Sequence, residues 1–533
     1  MTAMLAHPLM QNRAAGVSPT VAEMLERAGA ALDAQNPRAA ELALADALAL
    51  SPDCAEALRM QGLVLHLRGD YDQSVKLLRQ AHESRPHDAL IQMNLATSLY
   101  AAGQVEDALL NLRQACAKAP DFVPAWFNLG KMYMLQRRPA GAVTALHRTL
   151  DIDPTHGPAR LVLAQAQTGL GMAAQAAANY RDVLRAEPSQ ATAWIGLSDI
   201  DAEHFSKQDI AQLRDALQQP QHNVSARILL NFALVRALED QGDYTAAYRA
   251  LHKANGLQYR QLNWNPALAS ADVDALIDMF ARPLQGAPNN VQGEQVIFIA
   301  ALPQAGSVMT EQVLAAHPLV AGTDELGDLK QVLNDESTRR GQRFPLWVRA
   351  ASPADWARLG RDYLARTERW RRREPCFIDR NLSNWQLVGA ALAMLPGARV
   401  VNSRRDAFEN CFACYRQLFA SGHEFSYDLD HMVSYWRDYD RLSRHWRRLF
   451  PDRFIEHSYE AWQADPQARA SELLDFCGLA AHPACLDVER ISSASQQGVV
   501  PARLLRRDSE RSVLYGDRLD RLRGLLAYAR SAG

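Results

Sequence analysis

No run of apolar residues approaches the ~20 needed to cross a bilayer, and the opening residues MTAMLAHPLMQNR lack the basic-then-apolar order of a secretory leader. No membrane partner is expected, and a cytoplasmic location is the default expectation. An excess of one charge is also missing: 58 basic residues stand against 60 acidic ones, a net charge of −2, which gives the whole chain no reason to bind nucleic acid. Cysteine is scarce. The seven, Cys54, Cys116, Cys376, Cys411, Cys414, Cys477 and Cys485, are an odd, scattered set that makes no disulfide framework. Cys411 and Cys414 form a CxxC, but Phe412 and Tyr415 place it inside a helix with no second cysteine pair or histidine cluster nearby. Two thiols packed as small apolar groups are expected there, not a redox or zinc site. There is no HExxH and so no expected metal, and no Gly-Lys-Ser/Thr triplet to support a nucleotide kinase or ATPase.

What is present at 533 residues is more than one core's worth of chain. Pro52, Pro86, Pro120, Pro154 and Pro188 recur every 34 residues. Gly69, Gly103 and Gly171 keep the same step, with Arg137 in the fourth place; so do Ala40, Ala108, Ala142 and Ala176, with Ser74 filling in. This resembles the tetratricopeptide repeat, in which a small residue lets two antiparallel helices approach, a glycine turns the chain between them, and proline follows the second helix. The phase extends back to about residue 18, and a divergent last unit spans 227–255. The expected solenoid is 18–257. Stacked helix pairs leave a concave face that takes an extended peptide or a partner protein; a solenoid that only supports or dimerises a second domain is the alternative.

Asparagines and prolines between 258 and 292 mark a linker around one helix, 271–280. From 293 the texture changes to short apolar runs alternating with longer helices. Strands are expected over 296–302, 377–378, 398–402 and 454–457, with helices over 309–316, 385–395, 408–419, 432–449 and 468–477, hence a parallel sheet with helices on both faces. The fold class is α + α/β. This half is rich in arginine, as at 369–373 and 503–511, which suits a solvated surface or an anionic ligand.

The organising stretch is VIFIAALPQAGSVMTEQVLAAHPLVAGTDELGDL, 296–329. A strand buried on both faces stops at Pro303, a glycine-containing loop follows, and a helix begins, so backbone N–H groups face whatever lies over the strand end: an anion site in outline.

That stretch, with FIDRNLSNWQLVGAALAMLPGARVVNSRRDAFENCFACYRQLF, the Tyr459-Glu460 pair and SSASQQGVVP, resembles the sulfotransferase family, in particular bacterial proteins that join tetratricopeptide repeats to a protein-tyrosine sulfotransferase-like domain. The resemblance implies a P-loop-like domain over 293–533, the donor 3′-phosphoadenosine 5′-phosphosulfate, and in-line transfer of the sulfuryl group to a hydroxyl, in the first instance tyrosine of a protein or peptide. The family loop reads close to Pro-Arg-Ser-Gly-Thr-Thr and holds the 5′-phosphosulfate; the matching residues are Pro303, Gln304, Ala305, Gly306, Ser307 and Val308. Gln304 replaces the cation, and Ala305 and Val308 remove two hydroxyls. For the 3′-phosphate the resemblance points to Arg405, with Arg404 beside it and Ala413 where a serine is usual. Without the family, Arg404-Arg405-Asp406 reads as a strand-end salt bridge. Glu325 takes the position of the catalytic base; read alone, it is an acidic residue in the first turn of a helix capped by Thr323. Arg380 takes the position of a lysine and Ser495 of a serine that stabilise the transferring group, while Gly498-Val499-Val500 lacks the amide and charge that cover the nucleotide. Trp436, Tyr439, His445 and Trp446 are expected to pack a core rather than to receive an acceptor. The rival reading is a pseudo-sulfotransferase acting as a repeat-based scaffold.

Overall fold

The computed structural model describes residues 13–200, 203–284, 292–323, 325–371, 374–487, 491 and 508–531. Ser495 and Gly498 to Val500 lie outside these. The chain divides into two compact units, 1–203 and 204–533, a boundary that falls inside the stretch the sequence assigns to the solenoid.

The first unit is a stack of antiparallel helix pairs: Pro19–Asp33 with Pro37–Leu50, Ala55–Leu67 with Tyr71–Ser84, Ala89–Ala101 with Val105–Lys118, Val123–Leu135 with Pro139–Ile152, Gly157–Gly169 with Ala173–Ala186, then Ala191–Ser198. Sequence period and geometry coincide residue by residue. Gly69, Gly103 and Gly171 have φ of 82°, 79° and 71°, a left-handed turn that costs glycine least; Gln35 and Arg137 occupy the same phase at 55° and 53°. Ala40, Ala108, Ala142 and Ala176 are fully buried, and so is Ser74. The serine tolerates burial because its hydroxyl is within 2.7 Å of the Gly62 carbonyl and 2.9 Å of Ser98 Oγ. Gly62 lets the partner helix come close: a Cβ there would lie 2.7 Å from Leu78 Cγ. First helices of successive pairs pack directly on one another, as Ala55–Leu67 does on Ala89–Ala101 and that on Val123–Leu135, which makes theirs the inner layer of the stack.

In the second unit, helices Lys207–Gln218, Val224–Asp240, Tyr244–Tyr259 and Pro266–Met279 precede a five-stranded sheet. Its strands are β1 (Val296–Ala301), β2 (Val320–Ala321), β3 (Cys376–Arg380), β4 (Arg399–Arg404) and β5 (Phe454–Ser458), in the order β2-β3-β1-β4-β5, every pairing parallel. All six residues of β1 are buried, as a central strand covered on both faces requires. One face packs Met309, Val313, Leu314, Leu473 and Leu474 against Ile297, Ile299 and Val401. The Leu429–Leu449 helix buries Trp436, Tyr439, His445 and Trp446. Tyr439 donates to Asn402 Oδ1 at 2.8 Å, and Trp446 donates to the Trp385 carbonyl at 2.8 Å, so this aromatic set is core. Two helices that the alternating pattern did not mark, Asp328–Arg340 and Pro353–Arg366, lie between β2 and β3. All seven cysteines are free.

Candidate active site: the loop after β1

The sheet order sends the chain from β1 to β2 and β3 on one side and to β4 and β5 on the other. Loops at such a reversal open a crevice at the carboxyl ends of parallel strands, the usual ligand position in open α/β sheets. The loop 302–306 emerges there. Gln304 holds φ 62°, a left-handed backbone that costs a non-glycine residue about 1–3 kcal/mol. Three donors fix it. Asn410 Nδ2 and Cys414 Sγ reach the Pro303 carbonyl at 2.8 and 3.2 Å, and Arg405 Nη1 reaches the Gln304 carbonyl at 3.3 Å. Cys414 is thus more than apolar filling; it is a buried thiol that donates to the loop.

Gly306, at φ 89°, caps the Ser307–Ala315 helix, whose first hydrogen bonds run from Met309 and Thr310 N–H to the Gly306 carbonyl. The N–H groups ahead of these have no partner within the helix. A Cβ on Gly306 would stand 2.9 Å from Tyr459 Cδ2. The Tyr459 ring carries the Arg405 guanidinium on its face, 4.9 Å from centroid to Cζ. Ala305 and Ser307 are buried; Gln304 and Val308 are half-buried. The loop therefore supplies a backbone cradle and no cationic side chain of its own.

Arg405 and Arg404 are neighbours with opposite surroundings. The Arg405 side chain is 2 % exposed, its Nη2 is 4.0 Å from Glu409 Oε2, and its Nε and Nη2 are buried without a hydrogen-bond partner among the described residues. Arg404 is committed: Nη1 lies 2.7 Å from Glu456 Oε1, Nη2 contacts Asp440, and the guanidinium covers the Tyr439 ring. The close strand-end salt bridges anticipated for the pair belong to Arg404, and Arg405 has only the 4.0 Å ion pair with Glu409. Tyr459-Glu460 serves the same corner, since Glu460 Oε1 accepts from the Asp406 N–H at 2.8 Å.

Glu325 and Arg380 are brought together at the end of β3. Their backbones form a parallel bridge, and Arg380 Nη1 lies 3.1 Å from Glu325 Oε1. Asn381 Nδ2 donates to the Leu326 carbonyl at 2.7 Å, pinning the segment. Glu325 is not in the first turn of a helix; the next helix begins at Asp328 after Gly327, and Thr323 donates its hydroxyl to the Ile378 carbonyl at 2.6 Å. That sheet-edge bond displaces the expected cap. Arg380 Nε also lies 2.5 Å from Glu311 Oε2, so two carboxylates share one guanidinium.

Three further residues are given no role by sequence reasoning, although Asp379 belongs to the Asp379-Arg380 pair that the family resemblance matches. Glu311 is one; its only signal was an acid on the apolar face of a short helix. His423 is another: burial holds its imidazole below the ordinary pKa, opposed by the charges of Glu325 and Glu424, and its ring meets Phe419 at 4.5 Å and Phe425 at 5.9 Å. The third is Asp379, fully buried, which accepts from Tyr363 OH at 2.6 Å and Asn384 Nδ2 at 3.0 Å; burial pushes its carboxyl up to about 6. Among the described residues no group of acids, histidines and cysteines is arranged to hold a metal ion.

The family comparison agrees with this geometry: residues 296–483 match the model of the Sulfotransferase family. This part of the chain is a sulfotransferase-family domain. Residues 25–89, 93–156 and 133–200 match tetratricopeptide-repeat models, so the chain joins those repeats to that domain. A protein of Aquifex aeolicus, described only as uncharacterized, is 25 % identical over 374 residues, 67 % of this chain and 48 % of its own length. The chain thus spans about half the length of that curated relative. Among solved structures, a tetratricopeptide repeat protein from Parabacteroides merdae aligns with 45 % of this chain and 94 % of its own at 16 % identity and a TM-score of 0.34. A thermophilic repeat protein in Thermus thermophilus aligns with 34 % and 100 % at 20 % identity and a TM-score of 0.30. The repeat assignment rests on the family models, not on these two likenesses. No helix is long and apolar enough to cross a membrane among the described residues.

Proposed function

We propose that this sulfotransferase-family domain moves a sulfuryl group from 3′-phosphoadenosine 5′-phosphosulfate to a hydroxyl, with a protein or peptide, tyrosine first among its side chains, as the acceptor and the repeats as the surface that brings it. The observation that carries the reading is Arg405: a buried guanidinium, stacked on Tyr459 and tied to the loop carbonyl, with two nitrogens, Nε and Nη2, that make no hydrogen bond among the described residues. Burying unpaired donors costs free energy, and an anion on them recovers it. The donor's residues in this chain are then Arg405 for the 3′-phosphate and the backbone of Gln304, Ala305, Gly306, Ser307 and Val308 for the phosphosulfate. Glu325 accepts the acceptor's proton as the acceptor oxygen bonds to sulfur; the bond from sulfur to the bridging oxygen breaks and its electron pair stays on the phosphate. Arg380 supplies the cation beside the transferring group, and Ser495, outside the described residues, is assigned by resemblance alone.

One observation favours the scaffold reading: Gln304 carries no charge, and Arg380 is already shared by two carboxylates. Isotope transfer separates the two. Label from ³⁵S-donor is expected on an exposed-tyrosine peptide, falling about 10²–10⁴-fold in Glu325→Gln. Equal labelling by both proteins removes Glu325 from the reaction, and no labelling by either, with none gained in Gln304→Arg, leaves the scaffold.

A further inference from the structure

We infer that Glu311 is a positioning residue that keeps Arg380 at the end of β3 and allows its charge to pass to the transferring group when Glu325 takes the acceptor's proton. The inference rests on the sulfotransferase reading above, and nothing in the family comparison assigns Glu311 a role.

Glu311 sits one turn into the helix that begins at the loop, between Met309 and Val313, which pack into the core. Its side chain is 11 % exposed and its carboxylate meets Arg380 Nε at 2.5 Å. Glu325 meets the same guanidinium at Nη1, but its side chain is 47 % exposed. The two acids are therefore unequal. One grips Arg380 from inside the protein at a fixed point, and the other covers its outer edge from the solvent side.

The charge count follows. Glu311, Glu325 and Arg380 sum to −1 at rest, a poor setting for an incoming anionic group. Once the acceptor's O–H proton moves to Glu325, the sum is zero and Arg380 Nη1 loses its counter-ion. Its Nε stays on Glu311, so the guanidinium cannot follow Glu325 or swing into solvent. Its outer N–H edge is then free to meet charge developing on the sulfuryl oxygens. The cation missing at Gln304 is thereby supplied only during transfer, the moment at which stabilisation accelerates a reaction. A lysine in this place is a single point donor and cannot hold two carboxylates at separate, fixed nitrogens, which accounts for arginine here.

The first test does not need turnover. In ¹⁵N-edited spectra, with the signal assigned by its loss in Arg380→Lys, the Arg380 Nε–H is expected to exchange with solvent slowly in the wild type and in Glu325→Gln. Exchange should be at least about 10-fold faster in Glu311→Gln once the hydrogen bond to a charged acceptor is gone. Kinetics supply the second test. Glu311→Gln should lower kcat about 10–100-fold with the donor KM within about 3-fold, and Glu311→Asp should recover part of the loss. Glu311→Gln should cost almost nothing further in an Arg380→Lys background, because Glu311 acts through Arg380. Unchanged Nε–H exchange in Glu311→Gln overturns the inference, and so does an equal cost of that change in both backgrounds. Accelerated exchange in a protein that transfers no label supports the positioning by Glu311 and overturns both the charge passage and the sulfotransferase reading.

Discussion

Two arginines at the carboxyl edge of one sheet have opposite fates. Arg405, at the end of β4, is buried against a ring and a carbonyl, with Nε and Nη2 making no hydrogen bond among the described residues; Arg380, at the end of β3, is held at Nε by Glu311 and at Nη1 by Glu325. The difference separates binding from chemistry. A group that must seat an anion at rest is best left unpaired and preorganised, since its desolvation has been met during folding. A group that must act only in the transition state is best neutralised until then.

Changes that break the contrast rank by expected effect. Arg380→Gln should reduce transfer about 10²–10³-fold while nucleotide affinity stays within a few fold, measured by single-turnover kinetics and calorimetry on one preparation. A comparable loss of affinity would erase the distinction between the two arginines. Asp379, next to Arg380, tests whether the strand end is held by a buried carboxyl. Its folded pKa of about 6 lies above the usual carboxylate value, so between about pH 4 and 6 the folded state binds more protons than the unfolded one and stability from this group falls as pH rises. Asp379→Asn should flatten that slope, an effect of up to about 3 kcal/mol from the shift, in urea melts compared at pH 4 and pH 7. An unchanged slope would place the titration elsewhere. Gln304→Arg should raise transfer about 10-fold, the gain of a charged over a neutral hydrogen bond. Arg404→Ala should change nucleotide affinity by less than about 2-fold, because Asp440 and Glu456 already hold that side chain.

Much of the architecture was legible because it is written in periods. A 34-residue step fixed the helix pairs, an uninterrupted apolar run marked β1, and the Val400-Val401 pair marked β4. β2 was missed because two residues carry no period. The helix over 328–340 was passed over because its face is mostly polar and its buried acid, Glu336, is held by Arg339, Arg340 and Arg358, an arrangement that hydrophobic spacing does not reveal. At the site, the loop and Arg405 are pointed to by the family resemblance, whereas Glu311 and the commitment of Arg404 depend on partners 69 and 36 residues away in sequence. Thr323 misled for a related reason: its hydroxyl could cap a helix or bind a strand carbonyl, and only the position of β3 decides. Charges at strand ends are read by their counter-ions, and those arrive from elsewhere in the chain.

The division between the two arginines meets its most direct test in calorimetric titration of the wild type, Arg404→Ala and Arg405→Ala with 3′-phosphoadenosine 5′-phosphate. The account predicts micromolar binding by the first two and a loss of about 10²-fold or more in the third, the value of two charge-assisted hydrogen bonds. Binding by Arg405→Ala as tight as that of the wild type, or no binding by the wild type, would contradict it.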